Sequence, residues 1–133
     1  MPHIVIEYSA NLEQKLDIAA LLQVVHTAAL DTGVFPIGGL RTRGAAREHY
    51  VIADGDPRNA FVHALLRIGH GRDLDTKRSA ATQVFDALCA YLEPTFQTTP
   101  LGISLEVEEI NPDLSFKQNN LHAIVKSRLA AQE

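Results

Sequence analysis

Two stretches of this chain run through the same order of patterns: a strand-period run, a helix-period run, then another strand-period run. In the first, Ile4, Ile6 and Tyr8 alternate against His3, Val5 and Glu7, which reads as a strand opening near His3. Ile18, Leu21, Leu22, Val25, Ala28 and Ala29 then recur at spacings of three and four, the signature of an amphipathic helix. In the second, Phe61 to Ile68 reads as a strand with Val62, Ala64, Leu66 and Ile68 on one face. Ala81, Val84, Phe85, Leu88 and Leu92 follow at helical spacing, and Ile103, Leu105 and Val107 alternate in a last strand over about 102–110. A helix between two strands of one sheet is a crossover, so the flanking strands pair in parallel. The expected fold is α+β: two β-α-β repeats of similar length, about 2–59 and 60–111, and a tail at 112–133. All 133 residues are read as one domain, with a four-stranded mixed sheet carrying two helices on one face. The other face keeps apolar residues and calls for a partner, so a homo-oligomer is expected.

The local signals fill in the connections. Asn11 with Gln14 resembles a capping box, which predicts a first helix from there to about Asp31, stopped by Gly33. Val34 to Arg43 is expected to be extended, with Pro36 at a strand edge and Gly38-Gly39 at a bulge or a close approach of another backbone. A further short strand is expected over Glu48–Ala53, before the turn at Asp54-Gly55-Asp56-Pro57. Asp73 or Asp75 caps the second helix, and Pro94 ends or kinks it. A short helix is expected around Leu121–Leu129.

Composition excludes several classes. The net charge is −4, and no basic stripe or zinc-finger spacing points to nucleic acid. No run is long enough for a membrane span, no secretion signal precedes the first strand, and a cytoplasmic protein is expected. A single cysteine, Cys89, rules out an intrachain disulfide and reads as packing. The six histidines form no metal-ligand spacing, so no metal is expected.

Pro2 carries the first chemical signal. An initiator methionine is usually trimmed before a residue as small as proline, which would free a secondary amine. Such an amine titrates near neutrality, starting from about 8 and moving lower beside cations or on burial. That suits a general base. A base of this kind needs an anion holder, and Arg41 (after Gly38-Gly39-Leu40) and Arg72 (after Gly69-His70-Gly71) are the best placed. Arg43, Arg67 and Arg78 read as surface or ion-pair residues, and His3 and Glu7 as structural.

Longer motifs then point to a family. Pro2-His3, Phe35-Pro36-x-x-Gly39-x-Arg41-x-Arg43, Ala53-Asp54-Gly55, Ala60-Phe61-Val62-His63, Gly69-x-Gly71-Arg72 and Ser104-x-Glu106-x-Glu108-Glu109 occur in order. With Phe116-Lys117-Gln118-Asn119-Asn120-x-His122-Ala123, the chain resembles the 5-carboxymethyl-2-hydroxymuconate isomerases from Pro2 to about Lys126. The resemblance implies the tautomerase superfamily and a homotrimer whose sheets enclose a barrel. It implies tautomerisation of a dienol polycarboxylate, 5-carboxymethyl-2-hydroxymuconate, to 5-oxopent-3-ene-1,2,5-tricarboxylate in the meta-cleavage breakdown of homoprotocatechuate, formed from 4-hydroxyphenylacetate. By this likeness Pro2 moves the proton from the 2-hydroxyl to carbon 5, Arg41 and Arg72 hold carboxylates and the dienolate, and no cofactor is needed. Two alternatives stand beside it. A superfamily hydratase or dehalogenase would need an acidic residue to activate water, and none stands out. A non-enzymatic trimeric binding protein would be indifferent to an N-terminal extension.

Overall fold

The structure, a computed structural model, describes residues 1–132. Its strands are β1 (His3–Ser9), β2 (Arg41–Arg47), β3 (Ala60–Gly69) and β4 (Leu101–Ile110); its helices are α1 (Ile18–Asp31), α2 (Leu74–Phe96) and α3 (Leu121–Ala131). The four strands form one mixed sheet in the order β2-β1-β3-β4. β1 and β2 are parallel and joined through α1, and β3 and β4 are parallel and joined through α2. The two central strands, β1 and β3, run antiparallel. Among the described residues no helix is long and apolar enough to cross a membrane.

The core lies between the sheet and the two long helices. Ile4, Ile6, Val62, Ala64 and Leu66 are buried on the sheet, facing Leu21, Val25 and Ala29 of α1 and Val84, Leu88 and Leu92 of α2. Each fully buried Leu, Ile or Val contributes roughly 1.5–3 kcal/mol. Ile103, Leu105 and Val107 pack against the margin of this cluster from the edge strand. Cys89 is half-buried on α2, and its thiol is pushed up by burial and then by Asp86 and Glu93, which keeps it a packing group.

The other sheet face has no helix on it. The register places Val5 beside Leu65 there, and Glu7 beside His63. Around them Arg47 pairs with Glu7 at 2.8 Å, and the His63 ring meets Ser104 Oγ at 2.7 Å and Glu106 at 3.2 Å. Exposed pairs of this kind contribute only about 0–1 kcal/mol each.

Four local expectations are corrected. α1 starts at Ile18, capped by Asp17, whose carboxylate accepts from the Ala20 N–H at 3.0 Å. Asn11 sits in a 3₁₀ turn, Ala10–Leu12, because its side chain is drawn away to the carbonyls of Asn59 (2.8 Å) and Pro57 (3.4 Å). The extended run expected over Val34–Arg43 is a turn followed by β2, with the Gly39 and Leu40 N–H groups both donating to the Pro36 carbonyl. Glu48–Ala53 forms no strand. Asn59 donates to the Ile52 carbonyl (3.0 Å) and to Asp54 (2.8 Å), and Gly55 N–H also donates to Ile52, so local bonds replace a ladder. Finally, α2 runs on through Pro94 to Phe96. A proline in the last turn forfeits one hydrogen bond, and the Gln97 N–H still reaches the carbonyls of Glu93 and Thr95. Asp73, of the two candidates, caps α2 by accepting from the Thr76 N–H at 2.8 Å.

Candidate active site

The topology collects four chain ends on one rim of the sheet. β1 and β2 begin there, with His3 beside Arg41, and β3 and β4 end there, with Gly69 beside Ile110. Pro2 therefore precedes one central strand, Arg72 follows the other, and Arg41 opens an edge strand. Arg41 is the first residue of β2.

Each residue is held by backbone groups, some of them far along the chain. Pro2 is buried, and its carbonyl accepts the Arg41 N–H at 3.1 Å. The Arg41 guanidinium donates to the Gly39 carbonyl at 2.6 Å. Gly71 adopts φ +109°, a conformation that L side chains rarely take, and it turns the chain so that Arg72 folds back over the rim. Arg72 donates to the carbonyls of Gly69 (3.3 Å) and Val34 (3.2 Å), and its guanidinium lies 5.5 Å from the centre of the Phe35 ring. A guanidinium has five N–H donors, so both arginines keep donors for an anion. Among the described residues neither is paired with a carboxylate.

The Met1 amine, one residue before the Pro2 nitrogen, lies within this group. It is held below its ordinary value by its own partial burial, then by the Lys117 ammonium beside it, then by the charges of Arg41 and Arg72. The cation is what burial and positive neighbours disfavour, so an amine here favours its neutral, basic form. Met1, Gly69, Ser115 and Lys117 line a cavity of about 270 Å³ at this place. A wider hollow of about 530 Å³ lies on the uncovered sheet face, between His3, Arg67, Leu114 and Phe116.

The chain's relatives can now be set beside this geometry. A family model for 5-carboxymethyl-2-hydroxymuconate isomerase matches residues 2–125. The chain belongs to this family. It is 36% identical over 126 residues to the 5-carboxymethyl-2-hydroxymuconate Delta-isomerase of Escherichia coli, covering 95% of this chain and 100% of that one. A crystal structure of a 5-carboxymethyl-2-hydroxymuconate isomerase from Deinococcus radiodurans R1 superposes with a TM-score of 0.87 at 34% identity, covering 93% of each chain. A second isomerase crystal structure gives 0.87 at 32% identity, over 94% of this chain and 93% of that one. More distant neighbours share the fold alone, the tautomerase fold; among them is a fused 4-OT described as a symmetric trimer, at TM-score 0.61 and 16% identity, over 87% of this chain and 93% of that one.

In this isomerase-family chain the structure brings Pro2, Arg41 and Arg72 together and leaves Arg43, Arg67 and Arg78 outside. Arg43 donates to His3 Nδ1 at 3.1 Å on the open face, and Arg78 is exposed on α2. The His3 ring is held below its ordinary value by burial and then by Arg43, the Met1 amine, Arg41 and Arg67. Sequence reasoning missed Phe35, under Arg72, and the strap 111–122. The strap returns from β4 to the Gly38 turn, where Asn119 donates to the Gly38 carbonyl at 3.3 Å. A Cβ on Gly38 would stand 2.7 Å from the His122 Cα, so the expected close approach of backbones is present there. The signal for the strap was the Phe116–His122 motif, dense in polar residues where no apolar stripe requires them.

Proposed function

We propose that this chain is a 5-carboxymethyl-2-hydroxymuconate isomerase whose base is the Pro2 nitrogen, freed by removal of Met1. The neutral amine takes the proton of the 2-hydroxyl, breaking O–H. The electron pair spreads through the dienolate, and the prolinium returns the proton to carbon 5, forming C–H and leaving the 2-oxo-3-ene product. Arg41 and Arg72 hold carboxylates and the charge developing on the dienolate oxygen. A positioned base contributes about 10²–10⁴-fold, and each donor to the developing charge contributes on the order of 3 kcal/mol. Only a proton moves, so no cofactor enters.

The observation that carries this reading is that Pro2, bonded to Arg41, and the Met1 amine before it lie beside two anchored guanidiniums that have no carboxylate partner among the described residues. The family match supplies the substrate. In this reading the whole chain is one unit of two β-α-β repeats, working as a cytoplasmic homotrimer without nucleic acid, in aromatic-ring degradation. The uncovered sheet face, together with Leu114 (76% exposed) and Phe116 (90% exposed), supports assembly, since such groups gain most from a second copy. Light scattering should give three times the chain mass.

The test is direct. Protein beginning at Pro2 is mixed with the dienol in ²H₂O, and the loss of dienol absorbance is followed with NMR of the product. Rapid ketonisation with deuterium at carbon 5 is expected. A protein that leaves the dienol at its spontaneous rate, or returns a hydrated product, is not this isomerase.

A further inference from the structure

The rim has a fourth contributor. Pro2, Arg41 and Arg72 come from the ends of β1, β2 and β3, and the end of β4 delivers the strap that carries Lys117. The strap is fixed on both sides. At its start, Asn111 accepts the Asp113 N–H at 3.0 Å and the Leu114 N–H at 3.1 Å. At its far end, Asn119 and His122 are seated on the Gly38 turn. Lys117 between them lines the cavity that Met1 and Gly69 share, and among the described residues it has no carboxylate partner.

Three cations around one amine repel one another and are stabilised by an anion in their midst. The substrate proposed above carries three carboxylates: two belong to the muconate, and the 5-carboxymethyl arm adds the third. We propose that Lys117 is a substrate-binding residue that holds one of these carboxylates and selects the three-carboxylate dienol over two-carboxylate 2-hydroxymuconates. This rests on the isomerase reading. The influence of Lys117 on the Met1 amine, greater than that of either arginine, agrees with its nearness to the start of β1. A lysine suits the task, because its ammonium is a compact charge on a flexible stem and can follow a mobile carboxymethyl arm.

The experiment measures kcat/KM for 5-carboxymethyl-2-hydroxymuconate and for 2-hydroxymuconate in the full chain beginning at Pro2, in wild type, Lys117→Met and Lys117→Arg. A charge-assisted hydrogen bond lost from binding lowers kcat/KM for the three-carboxylate substrate about 10- to 100-fold, mainly through KM. Measured above the amine's pH midpoint, where the base is neutral in every variant, the two-carboxylate substrate should change less than about threefold on the same principle, and Lys117→Arg should recover most of the difference. Parallel losses on both substrates, or no loss on either, overturn the proposal. A wild type inactive on both substrates refutes the isomerase reading instead. Calorimetric binding of propane-1,2,3-tricarboxylate against glutarate then decides Lys117 alone. The proposal requires that the tricarboxylate preference be present in wild type and lost in Lys117→Met, and its absence or persistence rejects it.

Discussion

The backbone N–H of Arg41 donates to the carbonyl of Pro2 at 3.1 Å, so the residue that opens the edge strand is bonded to the residue that opens the chain's central strand. The proposed base and the proposed anion holder are thereby set on adjoining strands of one sheet. The Arg41 guanidinium is tied back to Gly39 as well. An arrangement held by the ladder itself needs no reorganisation when charge develops in the substrate.

Loss of either arginine should therefore damage catalysis more than folding. Arg41→Ala and Arg72→Ala are each expected to lower kcat/KM by about 10²–10³-fold, with the assembly unchanged by light scattering. Arg72→Lys should recover little. An ammonium lacks the planar fork with which Arg72 bonds the Val34 and Gly69 carbonyls from its place over the Phe35 ring.

The pH dependence follows from the sign of the amine's perturbation. Burial and then Lys117, Arg41 and Arg72 disfavour the protonated form of the Met1 amine, and the Pro2 amine, one residue on, should feel the same cations and keep its free base to lower pH. In protein beginning at Pro2, kcat/KM should rise with pH through a midpoint below about 8, the ordinary α-amino value. Arg72→Ala and Lys117→Met should each move that midpoint upward, and added salt should do the same by screening. A midpoint above about 9 would contradict a proline base in this setting.

His3 adds a separate pH effect, on stability. Burial and Arg43 hold its folded-state pKa below the ordinary 6.5, so the unfolded chain takes up a proton first as pH falls. Stability should be insensitive to this group above 6.5 and should decline as pH drops from 6.5 toward the folded value. His3→Gln should flatten that part of the urea-midpoint profile, and an unchanged slope would assign the effect elsewhere.

Gly38 tests the seating of the strap. A Cβ there would stand 2.7 Å from both the His122 Cα and its Nδ1, and the backbone atom cannot swing aside. Gly38→Ala should cost about 1–3 kcal/mol in chemical denaturation. Gly102→Ala, where a Cβ meets nothing within 4 Å, serves as the control and should show no comparable loss.

Long-period patterns survived from sequence to structure because burial enforces them. Leu21, Val25 and Ala29, and Val84, Leu88 and Leu92, could only face one sheet, and they do. Short-range signals failed where distant bonds outvoted them. Asn11 looks as good a cap as Asp17 until Asn59, far along the chain, claims its side chain. Glu48–Ala53 read as a strand, yet Asn59 and Asp54 satisfy that segment locally. Of the proposed site, Pro2, Arg41 and Arg72 were candidates from residue type and glycine context, and the structure places them on one rim. Lys117 was not a candidate, because its place at that rim depends on the antiparallel pairing of β1 with β3, which brings the end of β4 to where β1 begins.

Everything in this account turns on one nitrogen. The deciding measurement compares ketonisation of 5-carboxymethyl-2-hydroxymuconate by protein beginning at Pro2, by the same protein acetylated at that nitrogen, and by Pro2→Ala with its terminus free. Acetylation converts the amine to an amide with no basic lone pair, so activity should fall to the spontaneous rate. Pro2→Ala, with a primary amine at nearly the same place, should retain a reduced rate. An acetylated protein that keeps full activity would contradict the central claim.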